Sequence, residues 1–397
     1  MIAVKPLPEI ELLVVQPTPF CNVDCRYCYL PNRHVKSVLS AQTMVHLFSQ
    51  VFSSGWARNG LSVVWHAGEP LVLPVSFYRD AFRLIEDLNI AGIPVMHSFQ
   101  TNGTLIDEAW CAFFREERIN LGISVDGPRQ FHDRNRVTRS GSGTFEQTIA
   151  GVRLLRRNRI PFHVISVLSP ASMAAAEDMF DFYVSEGISE VCFNVEESEG
   201  AHISSTLATP DVEASFYSFL REFWRLSSNS PGKLTFIREI EDTIRQIIRP
   251  DGVRFTNCLV EPFSIISMDW AGNISTFSPE LLGLKNAAYG DFILGNINRD
   301  RLTDLSRSHI LDRMMRDIMA GVEMCRRNCG YFSVCGGGEP VNKLAENGTF
   351  ASMETAYCRV AKKQPANLVL NALELARQRD GRPGRRTPRT DPFVVTS

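Results

Sequence analysis

Short apolar runs alternate with longer amphipathic stretches through the first half of the chain. Six runs rich in β-branched and aromatic residues predict strands at 11–16, 61–66, 95–100, 119–125, 162–168 and 189–195. Stretches with helical periodicity separate them, at 41–53, 75–90, 106–118, 144–158 and 171–186. Ser40, Asp107 and Ser172 stand near three of the helix starts and are predicted N-caps. The alternation predicts an α/β protein.

Six strands joined by helices require parallel pairing and right-handed connections. Polar or glycine-containing motifs follow nearly every predicted strand. Active sites of α/β barrels lie at the carboxyl ends of the strands. The pattern therefore favours a partial, TIM-like (β/α)6 barrel over residues 1–200, with its site at that rim.

The alternation of predicted strands and helices ends near residue 200. Two helical patterns, 211–226 and 236–249, predict a helical bridge over residues 201–250. Short strands, turns and five cysteines follow, which predict a small domain held by metal over residues 251–370. Residues 371–397 are basic and rich in proline and glycine, and are predicted to be a disordered tail.

The composition excludes several classes of protein. A net charge of −2 gives no overall attraction to nucleic acid or to an anionic membrane. No apolar run approaches the roughly 20 residues that a membrane span needs. Glu9 and Glu11 interrupt the N-terminal apolar stretch, which argues against a signal peptide. We therefore expect a cytoplasmic protein, in whose reducing compartment clustered cysteines are more often metal ligands than disulfides.

Three cysteines, Cys21, Cys25 and Cys28, follow the first predicted strand with the spacing C-x3-C-x2-C. Three thiolates can hold three corners of a [4Fe–4S] cluster and leave the fourth iron open to an outside ligand. The alternative is a zinc site of the Cys3His type with His34 as the fourth ligand.

With Tyr27 before the last cysteine, this loop resembles that of the radical S-adenosylmethionine (SAM) superfamily. The resemblance implies that the open iron binds the amino and carboxylate groups of SAM. It also implies that the reduced cluster cleaves SAM to a 5′-deoxyadenosyl radical. HAGEP, residues 66–70, is similar to the GGEP motif of that superfamily, with Ala67 in place of a glycine. By this resemblance Gly68 allows close backbone approach and Glu69 balances the charge of the SAM amino group.

Further motifs occur in the superfamily's order: QTNGTLI at 100–106, SVDGP at 124–128 and HDRNRVTRSGSGTFE at 132–146. They resemble the branch of the superfamily that modifies peptides. The resemblance implies SAM contacts by Tyr27, Gly68, Glu69, Asn102, Ser124, Arg136 and Leu168.

A second set of cysteines, Cys325, Cys329, Cys335 and Cys358, lies in the C-terminal part of the chain. Four thiols in one small domain are compatible with a zinc ribbon. The set also resembles the C-terminal SPASM extension of radical SAM enzymes. That resemblance implies an auxiliary [4Fe–4S] cluster held by these four thiols.

The chain departs from the SPASM pattern at two positions. Phe277 and Glu339 stand where that family has cysteines, and both would serve the same cluster as Cys258. We therefore expect two [4Fe–4S] clusters, one that binds SAM and one auxiliary, with Cys258 as a buried thiol or a remnant. Cys111 and Cys192 fall in helix and strand patterns and are expected in the core.

Residues 16–33, 275–283 and 335–358 resemble cyclophane-forming maturases of ribosomal peptides, the GrrM type among them. That family joins an aromatic ring carbon of Trp, Phe or Tyr to the β-carbon of a nearby residue. The resemblance implies two partners, a precursor peptide with a leader and a low-potential electron donor such as flavodoxin or ferredoxin.

Closing such a ring ends with the loss of one electron and one proton. The auxiliary cluster is the expected electron acceptor, and Asp126, Glu280 and Glu339 are the candidate bases. Ser278 stands where sulfatase-maturing relatives carry an aspartate. Two other functions stay open: a different oxidative maturase that makes a thioether or formylglycine, and an iron–sulfur or zinc protein without chemistry of its own.

Overall fold

A computed structural model of the chain describes residues 7–198, 200, 202, 205–249 and 257–380. In this part of the chain one sheet contains the strands β1 Leu12–Val15, β2 Leu61–Trp65, β3 Val95–Thr101, β4 Asn120–Ser124, β5 His163–Leu168, β6 Glu190–Val195, β7 Phe236–Ile237, β8 Ile265–Met268, β9 Asn273–Thr276 and β10 Gly295–Asn296. The helices are α1 Ala41–Ser53, α2 Val75–Leu88, α3 Glu108–Glu116, α4 Arg129–Asn135, α5 Phe145–Arg157, α6 Pro170–Met173, α7 Ala176–Ser185, α8 Val212–Asn229, α9 Arg238–Ile247, α10 Leu302–Leu305, α11 His309–Asn328, α12 Phe332–Cys335, α13 Pro340–Asn347 and α14 Gln364–Asp380.

The strand order is β10-β9-β8-β1-β2-β3-β4-β5-β6-β7. All neighbours in this order from β8 and β1 to β6 and β7 pair in parallel. All six strands predicted in the first half of the sequence are present and lie side by side in chain order. Among the described strands, β7 and β10 each pair on one side only, so the sheet does not close on itself. The prediction of an α/β fold with a partial barrel is confirmed.

Alternation along the strands places the helices on one face of the sheet. In β2, Leu61, Val63 and Trp65 are buried while the residues between them are half-exposed. The Trp65 ring lies 5.4 Å from that of Tyr78 on α2, which in turn lies 4.7 Å from Phe99 on β3. Such aromatic pairs contribute about 0.5–1.5 kcal/mol each beyond their buried area, and they fix the helices against the sheet.

The C-terminal part of the chain extends this same sheet. Strand β8 pairs in parallel with β1, with Ile265 opposite Leu12, and β9 then returns antiparallel to β8. The short strands predicted after residue 251 therefore continue the barrel sheet. The division of the chain into units at residues 200 and 250 stays a prediction. The sheet itself contains strands from all three units.

Two of the three predicted helix caps are confirmed. The Ser40 hydroxyl accepts a hydrogen bond from the Thr43 N–H at 3.1 Å, and the Asp107 carboxylate accepts one from the Trp110 N–H at 2.9 Å. Each satisfies a backbone donor that the first turn leaves without a partner.

The prediction at Ser172 is wrong. Ser169 caps α6, and Ser172 returns the hydrogen bond as the third residue of a capping box, accepting from the Ser169 N–H at 2.9 Å. Pro170 has a fixed φ that suits the first helical position, so the helix starts there. The predicted helix 171–186 is also split, because α7 begins anew at Ala176.

Helix α14 covers the first ten residues of the predicted tail, up to Asp380. Leu368, Val369 and Ala372 form its buried face, and it packs on α8 and α9. The predicted disorder is therefore wrong for 371–380, while 381–397 lie outside the described residues. Within the described residues, no helix is both long enough and apolar enough to cross a membrane.

Candidate active site

A cavity of about 440 Å³ opens at the carboxyl ends of the parallel strands. Strands β2 to β6, or the loops that follow them, all contribute to its wall, and the C-terminal part of the chain closes it. The predicted site residues that line it are Cys21, Cys25, Tyr27, Cys28, Gly68, Glu69, Asn102, Ser124, Arg136, Glu280 and Glu339. The strand order thus collects in one place residues that are far apart in the sequence.

The cysteine loop forms one wall of this cavity. Cys21, Cys25 and Cys28 are free thiols that all face it. Burial raises the pKa of the Cys21 thiol above its usual range and that of Cys25 to about 11. His34 is exposed and does not line the cavity, so the Cys3His zinc site does not fit. A trio of soft ligands facing open space fits a cluster with one free iron position.

Glu69 lies at the carboxyl end of β2 with 1% of its surface exposed. One carboxylate oxygen accepts hydrogen bonds from the Thr101 hydroxyl at 2.6 Å and the Leu71 N–H at 3.0 Å. The other accepts from the Asn102 N–H at 2.8 Å. Burial raises the pKa of Glu69 to about 7, although these donors lower it. The carboxylate can accept a further hydrogen bond from an amino group in the cavity.

The two residues before Glu69 take left-handed backbone conformations. Gly68 has a φ of 133°, and a Cβ built on it would lie 2.1 Å from the Thr18 carbonyl oxygen. Glycine is therefore required for the β2 loop to touch the loop that follows β1. Ala67 has a φ of 69°, a conformation that costs an alanine more than the glycine it replaces in the motif.

Arg136 and Asp126 form a buried ion pair, with 6% and 1% of their surfaces exposed. The guanidinium contacts both carboxylate oxygens at 3.0 Å. The Tyr27 hydroxyl and the Val167 N–H also donate to the carboxylate, at 2.5 and 2.9 Å. Burial lowers the pKa of Arg136, but Asp126, Tyr27 and Cys25 together outweigh that effect and hold the pKa above its usual range.

The two residues of this ion pair differ in whether they face the cavity. Arg136 lines the cavity and its guanidinium lies 3.9 Å from the Cys25 sulfur. Asp126 does not line the cavity, and its oxygens point to Arg136, Tyr27 and Val167. The geometry therefore favours Asp126 as a residue that positions Arg136 and disfavours it as the base.

Asn102 and Ser124 both reach the cavity. The Asn102 amide donates to the Asn22 side chain at 2.9 Å and lies 3.9 Å from the Cys21 sulfur. The Ser124 hydroxyl accepts from the Gln100 amide at 3.0 Å, which leaves its own proton free for another acceptor. Both side chains are polar groups held in fixed positions beside the cysteine loop.

Leu168 is misplaced by the sequence-based prediction. It is fully buried and does not line the cavity. Side chains alternate along a strand, and on β5 the residues that face the cavity are Ile165 and Val167. Ile165 and Val167, and not Leu168, are therefore the apolar side chains of β5 that face the cavity.

A second cavity of about 110 Å³ lies among Cys325, Cys329, Cys335 and Cys358. Burial raises the pKa of the Cys325 thiol and that of Cys358, the latter to about 12. Among the described residues, no group of three or more Cys, His, Asp or Glu side chains is arranged to hold a single metal ion. Four free thiols around one small cavity fit the predicted [4Fe–4S] cluster, and the presence of this cluster stays a prediction.

Cys258 is half-buried, so the expected buried thiol is not found, and it is not among the thiols that line this cavity. It lines neither cavity, and Phe277, at the position of a family cysteine, is fully buried in the apolar core. Cys111 and Cys192 are buried, which confirms the prediction that they belong to the core.

Glu339 lines both cavities and so lies between the two cysteine sets. Its carboxylate accepts a hydrogen bond from the Tyr357 hydroxyl at 3.1 Å and forms an ion pair with Lys362 at 2.7 Å. Glu280 lines only the first cavity, where the Ser278 hydroxyl contacts it. Of the two candidate bases that face the cavity, Glu339 is therefore held by a cation and a tyrosine, whereas Glu280 contacts a serine hydroxyl.

The sequence did not single out Tyr357 and Lys343. Tyr357 lines the first cavity and directly precedes Cys358, just as Tyr27 precedes Cys28, so this repeated pair was a usable signal. Lys343 lines the second cavity. Nothing in the local sequence distinguishes it from a surface lysine on helix α13.

Comparison with known proteins supports this geometry. Residues 15–183 match the radical SAM superfamily. The uncharacterized protein sll1766 of Synechocystis is 40% identical over 368 residues, 92% of this chain and 92% of that protein. The serine-type anaerobic sulfatase-maturating enzyme of Klebsiella aerogenes is 32% identical over 199 residues, 50% of this chain and 49% of that enzyme.

A solved structure described as native anSMEcpe with bound AdoMet and Cp18Cys peptide shares the fold, with a TM-score of 0.75 and 19% identity. It covers 94% of this chain and 100% of its own. The matched range contains the cysteine loop, Glu69 and Arg136, which the structure brings to one cavity. The chain belongs to one family with sll1766, and its residues 15–183 match the radical SAM superfamily.

Proposed function

We propose that this protein is a radical SAM peptide maturase that closes cyclophane rings in a ribosomal precursor peptide. The observation that carries the proposal is the shared cavity. The three-cysteine loop, the polar strand ends and Glu339 all line it, and Glu339 also lines the second cysteine cavity. Motifs at 275–283 and 335–358 resemble those of cyclophane-forming enzymes, and the solved neighbour binds both AdoMet and a peptide.

In this proposal the inner wall of the cavity holds SAM. Glu69 accepts hydrogen bonds from its amino group and Arg136 binds its carboxylate, while Ser124 and Asn102 contact its polar edge. Tyr27 and Asp126 keep Arg136 in place through the contacts described above. Ile165 and Val167 supply the apolar surface of β5.

Cys21, Cys25 and Cys28 would hold a cluster that, once reduced, would cleave SAM and so supply a 5′-deoxyadenosyl radical able to remove a β-hydrogen from the peptide. The outer part of the cavity, near Glu280 and Tyr357, then holds the peptide with an aromatic ring beside that carbon. After the new C–C bond forms, the ring returns to aromaticity by losing a proton and an electron. In this proposal Glu339, which lines both cavities, takes the proton.

Anaerobic co-expression with a candidate precursor peptide, one that has a leader and aromatic residues in its core, tests the reaction. Mass spectrometry should show loss of two hydrogens per ring, with fragments that link an aromatic residue to a neighbour. If the enzyme cleaves SAM but the mass of the peptide is unchanged, cyclophane formation on this peptide is excluded.

A Cys28→Ala variant should lose SAM cleavage completely, because two thiols hold a cluster poorly. The readout is 5′-deoxyadenosine formed under reduction. Relative to wild type, Cys335→Ala should lose less SAM cleavage than formation of the peptide product, because the Cys335 thiol lines the second cavity. SAM cleavage by Cys28→Ala at the wild-type rate would refute the cluster assignment.

Formylglycine formation is a second candidate, favoured by the 32% identity to the Klebsiella maturase. Glu280, in contact with Ser278, places a carboxylate near the position where sulfatase-maturing relatives carry an aspartate. A peptide with a target Cys or Ser and no aromatic residue separates the two functions. Conversion of that peptide to an aldehyde would favour the maturase of sulfatases over the cyclase.

A further inference from the structure

Lys343 on α13 points into the second cysteine cavity. Its side chain is buried, with 3% of the residue exposed, and its ammonium lies 3.5 Å from the Cys325 sulfur. Gly321 on α11 faces the same ammonium, and a Cβ built there would lie 3.2 Å from it. The chain therefore encloses a cation directly against one thiol of the set.

No carboxylate balances this cation within the described residues. The other charged side chains that line the cavity are paired: Glu339 with Lys362, and Glu354 with Lys363 and Arg359. Lys343 is in no ion pair of the described structure. Burial of a lone ammonium is costly, so the site needs a negative charge. Four thiolates around a cluster would supply it.

The first cavity is built differently. Arg136 also lies near a cluster thiol, 3.9 Å from the Cys25 sulfur, but Asp126 neutralises it at 3.0 Å. The potential of an iron–sulfur cluster depends on net charge and on hydrogen bonds to its sulfurs. An unbalanced cation stabilises the form with one more electron. The two cysteine sets therefore differ in the local charge that a cluster would meet.

We infer that Lys343 raises the reduction potential of the auxiliary cluster and so makes that cluster an acceptor for the electron lost in ring closure. The inference rests on the proposed function, because it needs the auxiliary cluster and the radical substrate. In the step concerned, the substrate radical is oxidised by one electron, the oxidised cluster is reduced by one, and the proton goes to Glu339. Lys343 touches neither substrate nor proton and acts through Cys325.

A redox titration of the reconstituted full-length protein, followed by electron paramagnetic resonance, measures this effect. The signal of the SAM cluster is identified by its change on SAM addition, and the remaining signal is titrated. Lys343→Met should lower the reduction equilibrium constant of that remaining cluster at least tenfold, about 59 mV for one electron. Lys343→Arg keeps the charge and should restore most of the wild-type potential.

Lys285→Met is the matched control, because Lys285 is exposed and lines neither cavity. It should leave the potential unchanged. If Lys343→Met holds no cluster, Lys343→Gln takes its place and must titrate at a lower potential than Lys343→Arg. Equal potentials in the charged and neutral variants would overturn the inference and leave the proposed function standing. A wild-type protein with only the SAM-responsive signal would overturn both.

Discussion

Glu69 and Arg136 are both buried at the first cavity, yet their charges are stabilised differently. Arg136 has a buried carboxylate beside it. Glu69 receives hydrogen bonds from neutral donors, and in the described part of the chain no cation pairs with it. The charge of Glu69 therefore depends on pH and on what binds, whereas that of Arg136 does not.

SAM affinity should follow the ionisation of Glu69. Burial raises its pKa to about 7, so the carboxylate is mostly protonated at pH about 6 and mostly charged at pH about 8. SAM binding should tighten as pH rises through this range. Glu69→Gln should weaken binding at the higher pH by about tenfold or more, since a hydrogen bond to a charged group contributes about 1.5–3 kcal/mol.

Equilibrium binding of SAM to the reconstituted enzyme at the two pH values measures this dependence. Glu86→Gln, an exposed change on α2, serves as the control and should behave as wild type. Equal pH dependence in Glu69→Gln and wild type would assign the titration to another group.

The two candidate bases can be separated by matched substitutions. Glu339→Gln should reduce cross-linked peptide about 100-fold, within the range of general-base contributions, with 5′-deoxyadenosine formation largely kept. Glu280→Gln should have a smaller effect, because Glu280 lies in the first cavity alone. The ratio of product to 5′-deoxyadenosine is the measurement. A lower ratio for Glu280→Gln than for Glu339→Gln would reverse the assignment.

At the residue scale, motif spacing predicted most of the first cavity because each motif directly follows a strand. It failed at Leu168, where a shift of one residue along β5 turns the side chain to the other face. It also missed Lys343, since its burial depends on distant residues such as Gly321 on α11, which faces its ammonium. Orientation and long-range packing are not encoded in a local motif.

At the scale of elements, the strands and most helices could be predicted because their apolar periodicity is local. Strand β8 pairs with β1, although the paired residues Ile265 and Leu12 are far apart in the sequence. No local pattern specifies that partner. The split between α6 and α7 was missed because the apolar pattern runs on across it, whereas Pro170 sets the start of α6.

The N-cap of α3 offers a test at this scale. Asp107→Ala removes the acceptor for the Trp110 N–H and should lower the free energy of unfolding by about 1 kcal/mol. Chemical denaturation of the reconstituted protein measures the change. Asp87→Ala, an exposed change within α2, should have little effect. If both variants lose the same free energy of unfolding, the effect of Asp107→Ala is not due to the lost N-cap.

At the scale of the whole molecule, the continuous sheet explains how the two cysteine cavities come to share the residue Glu339. Strand β8 brings the C-terminal part of the chain against β1, directly before the first cysteine loop. The loop after β9 then carries Ser278 and Glu280 into the first cavity. Glu339 completes the connection between the cavities.

This arrangement predicts the iron content of the protein. Two four-iron clusters give about eight irons per chain. Cys258→Ala should leave that number unchanged, because Cys258 lines neither cavity and the buried Phe277 side chain offers no ligand atom. Cys358→Ala should reduce it toward about four, since its thiol is one of four in the second cavity. Iron and sulfide assays on anaerobically reconstituted protein measure both variants, and loss of iron in Cys258→Ala would show that this cysteine is a ligand.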